Sequence, residues 1–282
     1  MNLQVQNVSE NHPPVANRAG GSSFYLAMRI LGREQREAMF EIYSFCREVD
    51  DIADSNAPHA QRLEGLSGWR KNIDSLYSGG VPPGLESLAK VIVRFALRKE
   101  DFLAVIDGVE MDARADIQAP GFDELDLYCD RVASAVGRLS VRVFGMDEAD
   151  GVSLAHHLGR ALQLTNILRD IDEDAEIGRL YLPREALRLA GITTTDPVSV
   201  MANPRLGEAC IVLAERAREH FTKANEIMSH CPRRVVRAPK IMGGVYRQML
   251  EGMISRGWAR PRNRVHINKP HLIWIALRHA FV

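Results

Sequence analysis

Apolar residues return at three- and four-residue steps in stretch after stretch of this chain, the repeat that gathers them on one side of an α-helix. FYLAMRIL, with Ser22 and Ser23 as N-terminal cap and Gly32 as stop, reads as a short first helix. The pattern then predicts helices from about 33 through 54, over 59–77, 85–97, 100–116, 123–144, 147–173 and 205–229, one more ending at Gly257, and a short apolar helix, HLIWIALRHAFV, at the C-terminal end. SGGVPPG, QAPGFD, GITTTDPVSVMANP and CPRRVVRAP separate them as turns, loops and linkers. There is no sustained period-two segment and no glycine-rich phosphate loop after a strand, so the predicted fold class is all-α, without a Rossmann or P-loop nucleotide site. One helical domain is expected over 21–282, behind a flexible segment, 1–20.

In two places the repeat turns acidic. Along the second helix Met39, Tyr43, Cys46, Asp50 and Asp54 follow at three- and four-residue steps, so a stripe that starts apolar ends in carboxylates. In the 147–173 helix Gln163, Asn166, Asp170 and Asp174 share one face, flanked by Leu164, Leu168 and Ile171. A carboxylate turned toward a core is costly without partners, so a lined cavity is expected rather than packed core. Carboxylates one turn apart stand about 5–6 Å from each other at Cβ, and their hard oxygens suit Mg²⁺ better than softer metals. Two such faces opposite each other would form a cage whose Mg²⁺ keeps positions open for a diphosphate, with Arg47, Arg169 and Arg179 as further anion partners. Either face alone reads more often as a solvated helix surface; two in register, each preceded by Arg, favour the cage.

Other features stay open at this level. Glu110, Asp112 and Asp116 form a looser acidic group, read as surface or as a rim of the same site. Tyr43, Tyr128 and Tyr246 read as core residues with satisfied hydroxyls, and His156 and His157 as surface or core histidines. The stripe Cys129, Ala133, Val136, Gly137 and Ser140 is built of small side chains, which admits either another helix or a thin hydrocarbon.

Composition narrows the setting. Cys46, Cys129, Cys210 and Cys231 show neither CxxC nor Cys/His metal spacing, which points to a reducing compartment without a disulfide framework or zinc finger. The first twenty residues lack an apolar signal core and no run is long enough to span a bilayer, so a cytoplasmic location is expected. The net charge is zero, yet from Cys231 to Val282 eleven Lys/Arg face the single acid Glu251. That basic end, with the apolar last helix, suits a peripheral contact with the inner membrane or attraction of diphosphate; a solvated surface explains it as well. No nucleic-acid partner is expected.

SSFYLAMRIL (22–31), YSFCREVDDIAD (43–54), YCDRVASAVGRLSVRVFG (128–145), QLTNILRDIDEDAEIGRLYLP (163–183) and APKIMGGVYRQML (238–250) together resemble the squalene and phytoene synthase family, in order and over nearly the whole chain. The resemblance implies an isoprenoid (terpenoid) synthase fold with a central cavity, and a Mg²⁺ cluster on Asp50, Asp54, Asp170 and Asp174, with Asp51 adjacent and Asn166 a further ligand. It implies head-to-head coupling of two prenyl diphosphates. It assigns diphosphate contacts to Ser22, Ser23, Tyr43, Arg47, Gln163, Arg169 and Tyr246, and the hydrocarbon channel to Phe24, Val136 and Gly137. Tyr128, Arg179 and Tyr181 fall near the reacting centre, and Arg262 and Arg264 are left as further candidates. Within the family, GSSFYLAMRIL and REQREAMFEIYSFCREVDDIAD are most similar to the bacterial hopanoid branch, in which two farnesyl diphosphates give presqualene diphosphate, NADPH is not expected, and downstream isoprenoid enzymes are partners. Phytoene, dehydrosqualene or squalene synthesis, and a non-catalytic assembly factor, are the alternatives.

Overall fold

The positions that the periodicity marks as apolar become the seams between helices. The computed structural model describes residues 27–55, 57–114, 117–263 and 265. The segment 1–20, Ser22, Ser23, Phe24, Asp116, Arg264 and the C-terminal run 271–282 lie outside the described residues. The helices are α1 (Arg33–Ala53), α2 (His59–Tyr77), α3 (Glu86–Phe95), α4 (Lys99–Arg114), α5 (Phe122–Cys129), α6 (Ala135–Phe144), α7 (Glu148–Arg169), α8 (Ile171–Glu176), α9 (Arg184–Leu189), α10 (Pro197–Ala202), α11 (Leu206–His230) and α12 (Arg233–Arg256). Among the described residues, β pairing is confined to one isolated parallel bridge, Gln118 to Leu180. The all-α expectation holds.

Two buried clusters form. The first joins α1 to α4 and α6, around Phe45, whose ring meets Trp69 and Phe102 edge-on at centroid distances of 5.3 and 5.0 Å; full burial of such a ring is worth about 1.5–3 kcal/mol. The second gathers α5, α7 and α9 to α12, with Leu154, Leu168, Leu213 and Phe221 buried. The ends of α1 and α7 carry their acidic faces to the junction of the two clusters.

Four local differences from the sequence reading have physical causes. The helix expected over 123–144 widens into a π-turn at Asp130–Ser134, where two glycines let neighbours press in. A Cβ on Gly159 of α7 would lie 2.7 Å from the Ser134 backbone, and one on Gly108 of α4 2.7 Å from Val132 Cγ1. The helix expected over 147–173 kinks at Asp170, with φ −99° and ψ 17°. Asp174 N–H still donates to the Asp170 carbonyl at 2.8 Å, so α8 continues the same run at a new angle. The stretch 191–204, expected as loop, contains α10, capped by Asp196, which accepts from Ser199 N–H at 2.8 Å, with Pro197 in the first turn where its missing N–H costs nothing. CPRRVVRAP, expected as a linker, is already helix: α12 starts at Arg233 and runs through Pro239, giving up the bond that a proline nitrogen cannot make.

Candidate functional site

The pocket at the junction has a volume of about 390 Å³. Arg47, Asp50, Ala53 and Asp54 enter from α1, Val109 and Asp112 from α4, Tyr128 and Val132 from α5 and the π-turn. Gln163, Asn166, Ile167 and Arg169 come from α7, Asp170 from the kink, Asp174 from α8, and Arg179 and Tyr181 from the loop between α8 and α9. The two acidic faces therefore meet, five carboxylates (Asp50, Asp54, Asp112, Asp170 and Asp174) against three guanidiniums.

Backbone geometry explains how the loop reaches them. Gly178, at φ +82°, ends α8 in the left-handed region that favours glycine. Leu180 then pairs with the segment before α5: its N–H donates to the Ile117 carbonyl at 2.7 Å and its carbonyl accepts from Ala119 N–H at 2.8 Å. Residues on either side of Leu180, Arg179 and Tyr181, are thereby laid into the pocket. Arg179 Nη1 donates to Asp54 Oδ1 at 3.1 Å and so ties the two acidic segments together.

Electrostatically the pocket holds more negative charge than its own cations offset. Burial, followed by repulsion from Asp54, pushes Asp50 up to about 7 although Arg47 opposes the rise. Burial and the Asp170 carboxylate push Asp174 up to about 7 against the pull of Arg179. The Arg169 Nε donates to Asp170 at 2.7 Å, and Tyr246 hydrogen-bonds the same guanidinium. Asn166 donates to Gln163 Oε1 at 3.3 Å, but its own Oδ1 is buried with no hydrogen-bond donor. A buried acceptor oxygen beside crowded carboxylates is a donor set that a hard divalent cation satisfies and that protein protons do not. Mg²⁺ fits these residues.

Of the two readings open for the Glu110–Asp112 group, surface or rim of the site, Asp112 takes the second and lies in the pocket wall. It is 7% exposed and accepts from both Tyr128 Oη, at 2.9 Å, and Tyr181 Oη, at 2.7 Å. The two rings stack with centroids 5.1 Å apart. Burial raises the Asp112 carboxyl, with the Tyr181 hydrogen bond and Arg179 opposing, while burial and Asp112 hold both phenols well above the usual tyrosine range. The signal was readable: Asp112 follows Val105 and Val109 on the buried stripe of α4. Glu110 faces elsewhere and pairs with Arg70.

Several expected residues stand outside the pocket wall. Asp51 is exposed and accepts from Arg47 at 2.7 Å. Tyr43 is half-buried one turn before Arg47, and Tyr246 stands behind Arg169. Val136 packs against the first cluster, and a Cβ on Gly137 would lie 3.0 Å from Ala155 Cβ, so at Gly137 the small stripe admits α7. Arg262 donates to Asp172 at 2.7 Å, behind α8. No helix among the described residues is long and apolar enough to cross a membrane.

Comparison with known proteins agrees with this geometry. The sequence model described as squalene/phytoene synthase matches residues 17–271. The presqualene diphosphate synthase of Rhodopseudomonas palustris is 60% identical over 93% of this chain and 94% of its own; that of Sinorhizobium fredii is 56% identical over 96% and 97%. Among solved structures, a dehydrosqualene synthase in complex with ligand superposes with a TM-score of 0.80 at 26% identity, covering 93% of this chain and 92% of that one. With the acidic helix pair, the helical architecture and the full-length match in agreement, the chain belongs to the squalene/phytoene synthase family.

Proposed function

We propose that the protein condenses two farnesyl diphosphates head to head into presqualene diphosphate, as one catalytic unit spanning both helix clusters. The observation that carries this reading is the meeting of the two acidic faces around the undonated Asn166 oxygen. The names of the relatives at 60% and 56% identity select presqualene diphosphate over other products of the family.

Asp50, Asp54, Asp170, Asp174 and the Asn166 Oδ1 would hold Mg²⁺, which when bound neutralises diphosphate charge as it develops. Arg47 and Arg169 reach the same space and hold diphosphate oxygens by charge-assisted hydrogen bonds. Arg179, already on Asp54, fixes the distance between the two segments. Loss of diphosphate from the donor leaves an allylic cation. Ala53, Val109, Val132 and Ile167 supply apolar wall against water there, and the stacked Tyr128 and Tyr181 rings offer electron-rich faces to the cation.

The acceptor's double bond attacks the cationic carbon, and loss of a proton closes the cyclopropane. Tyr128 is a suitable acceptor: its oxygen can take the substrate proton while its own O–H proton passes to Asp112, 2.9 Å away. The released diphosphate is the other candidate base. The acceptor's own diphosphate stays on the product, and no reductant is consumed.

The test is product analysis after incubating the protein with Mg²⁺ and either C15 or C20 prenyl diphosphate, with and without NADPH. A C30 diphosphate formed from the C15 substrate independently of NADPH is expected; preferential coupling of the C20 substrate, or formation of a reduced hydrocarbon only, would contradict the reading.

A further inference from the structure

Three histidines from two helices converge outside the acidic pocket: His156 and His157 on α7, and His220 on α11. One ring nitrogen from each lies within 4.8 Å of the others. His157 Nδ1 and His220 Nδ1 stand 3.0 Å apart, and the three rings contact one another, with centroids 4.7, 5.9 and 5.2 Å apart. None of the three lines the acidic pocket, and the proposed reaction gives them no task. Sequence alone placed His156 and His157 as packing or surface residues; the arrival of His220 from another helix changes their chemistry.

Two neutral imidazoles in Nδ1 to Nδ1 contact need one N–H and one lone pair between them. A metal ion can take the place of that shared hydrogen and accept both lone pairs. With zinc–nitrogen bonds of ~2.0–2.1 Å, two nitrogens of one tetrahedral site stand about 3.3 Å apart, within a few tenths of an ångström of the His157–His220 contact. The third nitrogen lies within 4.8 Å of the other two, and joining the same ion would require its ring to turn inward.

We propose that His156, His157 and His220 hold one divalent transition-metal ion of the zinc class, clipping α7 to α11. Imidazole nitrogen selects Zn²⁺, Co²⁺, Ni²⁺ or Cu²⁺ over Mg²⁺, which prefers oxygen, so this site and the acidic pocket take different ions. Three protein ligands leave a fourth position for water. Asp126 and Asp130 near His156, and Glu226 near His157, offset part of the ion's charge, while Arg160 and Lys223 oppose it. Burial, then the neighbouring rings and cations, holds the His220 ring at about 4, so it is in the neutral, ligating form near neutral pH.

The inference does not depend on the proposed reaction. It is tested on the full chain, stripped with a chelator and held in excess Mg²⁺ so that oxygen sites are occupied. Titration with Zn²⁺ by calorimetry should show one equivalent bound, and Co²⁺ in its place should give the visible ligand-field bands of a tetrahedral, nitrogen-rich site. His157→Gln and His220→Gln should each weaken Zn²⁺ binding at least about 100-fold, beyond the 10–100-fold typical of changes to groups outside the ligand set, and should abolish the Zn²⁺-induced rise in Tm. Asp50→Asn with Asp174→Asn should leave the equivalent in place. Absence of a saturable equivalent, or one that survives both histidine changes and disappears with the aspartates, overturns the proposal. Should a histidine variant not fold, the Co²⁺ spectrum of the unchanged protein decides: a tetrahedral spectrum supports the site and a six-coordinate one refutes it.

Discussion

Two buried polar clusters sit a few residues apart in this molecule, and they behave in opposite ways. Around Arg160, which is 5% exposed, the guanidinium donates to Asp126 at 2.8 and 2.9 Å, to Asp130 at 3.1 Å and to Ser134 Oγ at 3.0 Å. Arg138 completes the arrangement, with Asp101 at 2.5 Å and Asp130 at 3.2 Å. Arg160 holds the Asp126 carboxyl below its ordinary range. In the acidic pocket the same residue types stand at similar helical spacings, yet Asp50 and Asp174 rise to about 7 and the Asn166 oxygen has no donor. One cluster is satisfied from within, and it locks the π-turn that carries Val132 and follows Tyr128. The other is satisfied only in part, with the Asn166 oxygen and two raised carboxyls left for something outside the chain. A count of buried charges would not separate structure from function here; the undonated Asn166 oxygen set among carboxyls raised by their own crowding does.

The two clusters differ most visibly when the pocket carboxylates are neutralised. Asp50→Asn with Asp170→Asn should lower the rate of farnesyl diphosphate coupling by about 10³-fold or more, the scale of losing groups that stabilise developing charge, with an unchanged far-ultraviolet circular dichroism spectrum. Product assays and that spectrum check it.

The converse change belongs to the satisfied cluster. Arg160→Ala leaves the Asp126 carboxylate and the Ser134 hydroxyl without their donor, while Asp130 keeps Arg138, and should cost about 3 kcal/mol of stability, the low end for removing one partner of a buried pair because both carboxylates are partly exposed, read as a lower midpoint in urea unfolding.

Smaller again is the effect of a methyl group at the π-turn. Gly159→Ala puts a Cβ where 2.7 Å separates it from the Ser134 backbone and should cost about 1–3 kcal/mol as overpacking. A Tm unchanged from wild type would show that the turn yields freely.

The subtlest difference is in pH. In protein freed of divalent ions, Asp50 and Asp174 have folded values near 7, above the unfolded aspartate value of about 3.9. The folded state then binds protons more readily, so the stability they contribute is present at low pH and is lost as pH rises from about 4 through 7. Asp50→Asn with Asp174→Asn should therefore gain Tm relative to wild type across that window, and Mg²⁺ should close the gap from the wild-type side. A constant Tm difference between the two proteins from pH 4 to 8 would show that the pocket is not strained by its own charge.

Much of this was legible in the chain. The faces of α1 and α7 could be read because a four-residue step fixes which side of a helix a carboxylate occupies, and the family motifs lie on those same faces. Asp112 was not placed because three acids near the end of α4 look like a solvated end unless the phase of Val105 and Val109 is followed to them. The kink at Asp170 depends on what packs around it, which spacing does not encode. His220 lies 63 residues from His157 and on another helix, so only the packing of α7 on α11 could bring them together. The Asp-Pro at the start of α10 was readable from capping rules, but the threonine run before it disguised the helix as loop.

Whether the two acidic faces form one Mg²⁺-dependent diphosphate site is decided by calorimetric titration of inorganic diphosphate into the protein, in the presence and absence of Mg²⁺. Saturable binding at one site is expected, requiring Mg²⁺, disappearing in Asp50→Asn with Asp174→Asn and surviving in Gly159→Ala. Diphosphate affinity that is unchanged without Mg²⁺, or unchanged in the aspartate variant, would contradict it.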